Sequence, residues 1–180
     1  MSATPLNTRV HRVWRLGTNI DTDALAPGHA MKHGMDVIAR HCLEGVRPDF
    51  AAGVKPGDVL VAGPGFGIGS SREQAASVLV TLGVSAVIAP NFSGLYFRNA
   101  FNVGLLLLTC LQAEELIEGE GVQLDLDDPA APAVLRADGQ RLACEPVPDF
   151  LMRRVQAGGL LNELKLDLQA QRDTLKDTNV

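Results

Sequence analysis

The stretch VLVAGPGFGIGSSRE, residues 59–73, decides how this chain folds. Its first four residues, Val59–Ala62, form a short apolar run that predicts a buried strand. The next seven residues include four glycines, which allow a backbone to turn sharply and to approach a ligand closely. The stretch therefore predicts that a strand delivers the chain into a loop able to hold a ligand.

A helix is predicted directly after this loop. Ser70 or Ser71, with Glu73 or Gln74 three residues on, resembles a capping box, in which a side-chain oxygen accepts a hydrogen bond from a free N–H of the first turn. The helix is expected to run through Ala75–Leu82 and to end at position 83, where glycine can adopt the left-handed conformation.

The first turn of this helix has a chemistry suited to anions. Its N–H groups have no partner within the helix, so they favour a carboxylate as readily as a phosphate. Arg72 can bind a carboxylate through two hydrogen bonds, and Ser70 and Ser71 can add hydrogen bonds or, if one is deprotonated, act as a base. Alternatively, the serines only cap the helix and Arg72 lies on the surface. A nucleotide site is disfavoured because the lysine of a P-loop is absent.

The rest of the chain alternates between apolar runs and helical patterns. Strands are predicted at Val10–Leu16, Ala86–Ala89, Leu105–Thr109, Val122–Asp127, Ala133–Arg136 and Arg141–Glu145. Helices are predicted at Asp36–Glu44, Leu95–Asn102 and Pro148–Gln156, with an amphipathic tail at Leu160–Lys176. Strands that alternate with helices and are followed by antiparallel-looking strands predict an α/β core with a small β addition.

The composition is ordinary for a soluble globular protein. The 180 residues fit one domain, and because only 4% are aromatic the core must be built from Val, Leu, Ile and Ala. A net charge of −5, with no run of Lys and Arg, predicts no nucleic-acid partner. No segment has the length of a membrane span and residues 1–12 contain no apolar signal segment, so no membrane association and a cytoplasmic location are expected.

Two sets of residues offer potential metal ligands. Cys42, Cys110 and Cys144 are far apart and have neither zinc-site nor cluster spacing, so reduced thiols are expected. The histidines considered are His29, His33 and His41. No matched acidic or cysteine partner is apparent for them, so they are interpreted as surface or helix-start residues and no metal site is predicted in this chain.

Several segments resemble the swivelling domain of the aconitase superfamily. GIGSSRE, residues 67–73, resembles its GxGSSRE signature, and NIDTD, residues 19–23, with Pro27 resembles its opening motif. RNAFNVGL, residues 98–105, is similar to its RNAxNxGL segment. HCLE at 41–44, KPGD at 55–58 and GGL at 158–160, with Phe150, fit the short form found in the 3-isopropylmalate dehydratase small-subunit family. The resemblance covers about residues 10–162.

This resemblance implies a fold, an activity and a partner. The fold would be a single α/β swivelling domain of the β/β/α type over residues 1–164, followed by an amphipathic tail over residues 165–180. The chain would be a hydro-lyase small subunit, active only with its large subunit, on a malate-type hydroxy acid. The reaction that the resemblance favours is the isomerisation of 3- and 2-isopropylmalate in leucine biosynthesis. A [4Fe–4S] cluster, bound by the large subunit and not by this chain, would bind the substrate hydroxyl and a carboxylate.

The resemblance also implies roles for individual residues. Ser70 would be the catalytic residue that removes the proton from the carbon next to the carboxylate, while Ser71 and Arg72 would contact the substrate carboxylate. Lys32 or His33, in the loop that the family uses for specificity, would meet an additional carboxylate or else face solvent. Supporting residues are expected at Asp21, Asp23, Gly67, Gly69, Glu73, Arg98 and Asn99. The two aspartates equally suit hydrogen bonds within their own turn, and the last two residues would brace the signature loop.

Three positions depart from the family's pattern. Gln74 stands where histidine is usual and cannot carry its charge, Gly94 stands where arginine is usual, and Gly28–His33 differs from the usual ARYL loop. Several alternatives therefore stay open. The substrate could be dimethylmalate, citramalate, homoaconitate or another substituted malate or tricarboxylate. The chain could also be a non-catalytic binding or regulatory subunit that keeps the fold.

Overall fold

The strands of the chain form one mixed sheet. A computed structural model describes Leu6 and residues 9–177, without the side chains of residues 173 and 175–177. The strands are β1 (His11–Arg15), β2 (Val59–Val61), β3 (Ala86–Ala89), β4 (Leu106–Thr109), β5 (Gly121–Asp125), β6 (Ala133–Arg136) and β7 (Arg141–Ala143). They lie in the order β4-β3-β2-β1-β5-β6-β7. β1 to β4 pair in parallel, whereas β5, β6 and β7 continue the sheet from β1 as antiparallel neighbours. This confirms the α/β core with a β addition.

The helices connect the parallel strands and follow the last strand. They are α1 (Thr22–Leu25), α2 (Met35–Arg40), α3 (Phe50–Gly53), α4 (Gln74–Thr81), α5 (Gly94–Asn102), α6 (Asp149–Ala157) and α7 (Leu160–Asp177). All strands and the longer helices lie where the sequence predicts them, within a few residues. The short helices α1 and α3 were not predicted, because four residues are too few to show a helical period.

The core lies where the parallel strands are covered by helices. Every residue of β2 and β3 is buried, as expected for parallel strands covered on both faces. α4 contributes Ala75, Ala76, Val78 and Leu79 to this core. Trp14 of β1 is buried and packs edge-on against Phe50, with the ring centroids 5.3 Å apart.

Asp58 ties the start of β2 to β1. Its carboxylate accepts hydrogen bonds from Arg12 at 2.6 Å, from the indole Nε1 of Trp14 at 2.8 Å and from the backbone N–H of Lys55 at 2.9 Å. Burial by itself would raise the pKa of Asp58, but these hydrogen bonds outweigh it and lower the pKa below its usual range. Asp58 is therefore ionised at neutral pH, and it holds in register the two strands whose ends carry the site.

The expected capping box at the start of α4 is wrong. The helix begins at Gln74, the preceding Glu73 is its N-cap residue, and no side chain caps it. Ser70 and Ser71 are exposed and lie ahead of the helix, because their backbone is held by other segments of the chain. The interpretation that these serines serve only as helix caps is therefore excluded, and their hydroxyls do not bond the first turn.

The tail predicted at Leu160–Lys176 is the helix α7, and it is largely exposed. It packs against α6 through Glu163, whose carboxylate accepts a hydrogen bond from Arg154 at 3.2 Å. The proposed division at residue 165 falls inside this helix and remains a prediction, and residues 178–180 lie outside the described part. Within the described residues, no helix is both long and apolar enough to cross a membrane.

Candidate active site

The motifs singled out in the sequence meet at the carboxyl ends of β1 and β2. The segments that follow these two strands continue side by side. The backbone N–H of Asn19 donates to the carbonyl of Pro64 at 2.8 Å, and the N–H of Gly67 donates to the carbonyl of Ile20 at 2.7 Å. The N–H of Thr22 then donates to the carbonyl of Ile68 at 2.9 Å. Parallel pairing therefore brings the segments NIDTD and GIGSSRE together, although they are more than forty residues apart.

Gly67 is the position in the glycine loop where a side chain is least tolerable. Its φ of +76° lies in the left-handed region, and a Cβ atom there would lie 2.2 Å from Cγ of Tyr96. Tyr96 is buried and packs against Phe66 of the same loop, with the ring centroids 5.3 Å apart. The loop therefore rests directly on an aromatic ring of α5. Gly69, with a φ of +100°, passes Thr22 closely, since a Cβ atom there would lie 3.1 Å from the threonine Oγ1.

Ser70 is held by the hydroxyl of Thr22. The backbone N–H of Ser70 donates to Oγ1 of Thr22 at 3.0 Å, and the two side-chain oxygens are 3.1 Å apart. A hydroxyl has one hydrogen and two lone pairs, so Thr22 can accept from the Ser70 N–H and still donate to Ser70 Oγ. Thr22 is 1% exposed whereas Ser70 is exposed, so a buried donor supports an accessible oxygen. The sequence reasoning assigned no role to Thr22, although its place within NIDTD next to Asp21 was a usable signal.

Arg72 lies against α1. Its Nη1 atom donates to Oδ1 of Asp23 at 2.5 Å and to the carbonyl of Ala26 at 2.9 Å. Nε and Nη2 have no hydrogen-bond partner within the part of the chain that the structure describes. One edge of the guanidinium is thus fixed, and the other edge is available to a ligand.

The two aspartates of NIDTD have different partners. Asp21 caps α1, since its Oδ1 accepts from the backbone N–H of Ala24 at 2.7 Å. Asp23 instead pairs with Arg72. Of the two alternatives left open by the sequence, Asp21 is placed for the local turn and Asp23 is placed at the signature loop.

Of the other predicted supporting residues, one contacts the signature loop and two have no side-chain partner among the described residues. Asn99 of α5 donates from Nδ2 to the carbonyl of Ser71 at 2.8 Å, which joins α5 to the signature loop. Arg98 and Glu73 are exposed, and neither side chain has a hydrogen bond or ion pair among the described residues. Bracing of the loop therefore comes from the asparagine of this helix.

Lys32 and His33 lie on an exposed turn after α1. Neither side chain has a hydrogen bond or an ion pair to any residue of the described chain. The turn is attached to the core through Ala30, which is fully buried. A role for this pair in contacting substrate stays a prediction.

The expectation that the histidines lack an acidic partner is wrong for two of them. Nδ1 of His41 is 2.7 Å from Oε2 of Glu44, and Nε2 of His29 is 3.3 Å from Oε1 of the same carboxylate. Spacing along the chain does not show this cluster, because His29 lies on a separate turn.

The cysteines do not fit the ligand set of an iron–sulfur cluster. All three are within the described residues: Cys42 and Cys110 are buried and Cys144 is partly buried. Burial raises the pKa of the Cys42 thiol. The Sγ atom of Cys144 donates to the carbonyl of Leu142 at 3.9 Å, and the neighbouring Cys110 thiol together with burial raises the pKa of Cys144. No three thiols are presented together at the surface, as cluster ligation would require.

Comparison with known proteins supports the resemblance over most of the chain. Residues 47–113 match the family described as the aconitase C-terminal domain. A 3-isopropylmalate dehydratase small subunit of Nautilia profundicola is 39% identical over 161 residues, which cover 89% of this chain and 96% of that protein. A methanogen homoaconitase small subunit of Methanothermobacter thermautotrophicus is 39% identical, with coverage of 84% and 87%.

A solved structure agrees with this match. The crystal structure of a 3-isopropylmalate dehydratase from Methanocaldococcus jannaschii superposes with a TM-score of 0.83 at 35% identity, covering 92% of this chain and 98% of that one. Sequence and fold thus agree over nearly the whole length. The chain belongs to the 3-isopropylmalate dehydratase small-subunit family of the aconitase superfamily.

Proposed function

We propose that this chain supplies a serine base and a carboxylate-binding arginine to a hydro-lyase site that a large subunit completes. The observation that carries this proposal is the placement of Ser70 Oγ 3.1 Å from the buried hydroxyl of Thr22. Arg72 follows two residues later and has one edge of its guanidinium available. In this proposal Ser70 takes a proton from the carbon next to the substrate carboxylate.

Ser70 can act as a base only if its alkoxide is stabilised. A serine hydroxyl is a very weak acid, so hydrogen-bond donors and cations must favour the charged form. The O–H of Thr22 is placed to donate to Ser70 Oγ, and the positive charge of Arg72 lies in the same loop. Both act more strongly in a medium of low dielectric constant than in water.

The exposure of the serines supports a requirement for a partner. Ser70 and Ser71 are exposed in this chain, so water screens the charges around them. A large subunit that covers this loop would exclude the water and strengthen those interactions. The apolar side chains of Ile68 and Leu95, which are 38% and 48% exposed, offer such a partner surface to bury.

Arg72 is proposed to bind the substrate carboxylate, with help from the Ser71 hydroxyl. Its Nη1 atom is already bound to Asp23 and Ala26, and this fixes the plane of the guanidinium. Nε and Nη2 then present the parallel pair of donors that suits a carboxylate. Lysine could not replace this contact, because it lacks the planar fork.

The names of relatives support the substrate class more than a single substrate. They include 3-isopropylmalate dehydratase, isopropylmalate/citramalate isomerase and homoaconitase small subunits. The acids in these names are all malate-type hydroxy acids or their unsaturated products. We place the chain in the isomerisation of 3- and 2-isopropylmalate in leucine biosynthesis, with citramalate, dimethylmalate and homoaconitate as alternatives. A large subunit would bind the [4Fe–4S] cluster, since the cysteines of this chain do not fit it, and the reaction would take place in the cytoplasm.

The substrate is tested on the assembled enzyme. The chain would be co-purified anaerobically with its large subunit, and kcat/KM would be measured for isopropylmalate, citramalate, dimethylmalate and homoaconitate. We expect isopropylmalate to be favoured by about tenfold or more, the discrimination that an apolar pocket provides for extra methylene groups. Preference for a tricarboxylate would instead favour contact with Lys32 or His33. A stable complex that turns over none of these acids would contradict catalysis and favour a binding subunit.

A further inference from the structure

We propose that His29, His41 and Glu44 form a binding site for one divalent transition-metal ion of the Zn²⁺ class. The proposal is independent of the hydro-lyase function, because none of these residues belongs to the serine loop. The nitrogen and oxygen atoms available as ligands all lie within 4.8 Å of one another. Two imidazoles and one carboxylate are a common ligand set for such ions.

The geometry of the cluster is close to that of a bound site. Oε2 of Glu44 lies 2.7 Å from Nδ1 of His41, and Oε1 lies 3.3 Å from Nε2 of His29. The imidazole centroids are 4.9 Å apart and the rings are nearly perpendicular, at 83°. Tetrahedral ligands about 2.0–2.2 Å from zinc are roughly 3.3–3.6 Å from each other. The three ligand atoms lie within 4.8 Å of one another, so the exposed side chains have to rotate and draw closer together to surround one ion.

The backbone holds Glu44 and His41 in place before any ion binds. Leu43, between them in sequence, has a φ of +61°, a conformation that costs a leucine free energy. It is retained because Leu43 is fully buried and its N–H donates to the carbonyl of Ala24 at 2.8 Å. The N–H of Glu44 donates to the carbonyl of His41 at 3.2 Å, which closes a turn with both side chains available on it.

His29 comes from a second segment, the turn after α1. The N–H of Ala30 donates to the carbonyl of Pro27 at 2.9 Å, and Ala30 is fully buried. An ion held by His29 and by the pair after α2 would connect this turn to the end of that helix. Because the turn lies in the Gly28–His33 segment, the ion would fasten the part of the chain that departs most from the family's pattern.

The chemistry of the ligands restricts the ion. The side chains of His29, His41 and Glu44 are 59%, 38% and 43% exposed, so an ion can enter and keep water in its remaining positions. Imidazole nitrogens suit Zn²⁺, Co²⁺ and Ni²⁺, whereas Ca²⁺ and Mg²⁺ prefer oxygen ligands. The site should therefore discriminate against the last two ions.

The test is metal binding to the purified full-length chain. Zn²⁺ would be titrated by calorimetry, and Co²⁺ by its visible absorption, which reports nitrogen ligation and a low coordination number. We expect one ion per chain, and at least about tenfold weaker binding in His29→Ala, His41→Ala and Glu44→Gln. His33→Ala removes a histidine from the same turn but outside the cluster, and should bind as tightly as the wild type.

The outcomes separate this site from chance association. Circular dichroism of each metal-free variant shows whether it is folded. If an alanine variant is unfolded, the nearly isosteric Glu44→Gln variant still tests the site. The proposal is overturned if the wild type binds neither ion, if Mg²⁺ competes equally, or if the folded variants bind as the wild type does. The measurement needs no large subunit and no turnover, so its failure would leave the proposed hydro-lyase function untouched.

Discussion

Replacement of Ser70 by alanine is expected to lower kcat of the assembled enzyme by about 10³-fold, the scale of a lost general base. Ser70 Oγ is the exposed hydroxyl that the buried Thr22 hydroxyl supports. Alanine removes this oxygen but leaves the backbone N–H that donates to Thr22, so the loop should keep its conformation. Turnover would be measured with the co-purified large subunit, and complex formation by size-exclusion chromatography.

Two further variants separate catalysis from binding and from general damage. Ser71→Ala should raise KM more than it lowers kcat, because Ser71 is proposed to bind the carboxylate. Ser77→Ala makes the same chemical change on α4, beyond the loop, and should leave turnover unchanged. Undiminished turnover in an assembled Ser70→Ala enzyme would refute the role proposed for Ser70.

Replacement of Gly67 by alanine should lower the free energy of unfolding by about 3 kcal/mol and also impair turnover. The added Cβ would lie 2.2 Å from Cγ of the buried Tyr96, so either the ring or the loop must move. The left-handed φ of +76° adds about 1–2 kcal/mol of backbone strain. Displacement of the loop would also shift Ser70, three residues on. Urea unfolding of the isolated chain measures the stability effect.

Gly139 provides the matched control for Gly67. Its φ is +88°, but a Cβ atom there would meet nothing within 4 Å. Gly139→Ala should therefore show only the backbone strain, about 1–2 kcal/mol, and normal turnover. Equal destabilisation by the two substitutions would show that contact with Tyr96 is not what requires glycine at position 67.

The parallel part of the sheet was predictable because three of its four strands, β2, β3 and β4, are short apolar runs. Val59–Ala62 and Ala86–Ala89 are buried on both faces. A short apolar run with turns at both ends is typical of a buried parallel strand. The start of α4 was predicted wrongly. The spacing of Ser70 and Glu73 suits a capping box, but hydrogen bonds from distant segments hold the serine loop away from the helix. Local spacing cannot reveal such competition.

The parts of the site that depend on long-range pairing could not be predicted from the sequence either. Thr22 lies in the NIDTD motif, but its hydrogen bonds with Ser70 appear only when parallel pairing brings the two segments together. The cluster of His29 with Glu44 depends on the left-handed conformation of Leu43, which the sequence gives no reason to expect. The family motifs named the segments that meet, whereas only the structure shows which atoms in them are in contact.

The proposed division of one site between two subunits is tested most directly by mixing them. The isolated chain, the anaerobically prepared large subunit and their equimolar mixture would each be assayed for formation of the unsaturated acid from isopropylmalate. The cysteines of this chain do not fit a cluster and its serine loop is exposed, so we predict no turnover by either subunit alone and turnover in the mixture. Turnover by the isolated chain, or none in a mixture that forms the complex, would contradict a divided site.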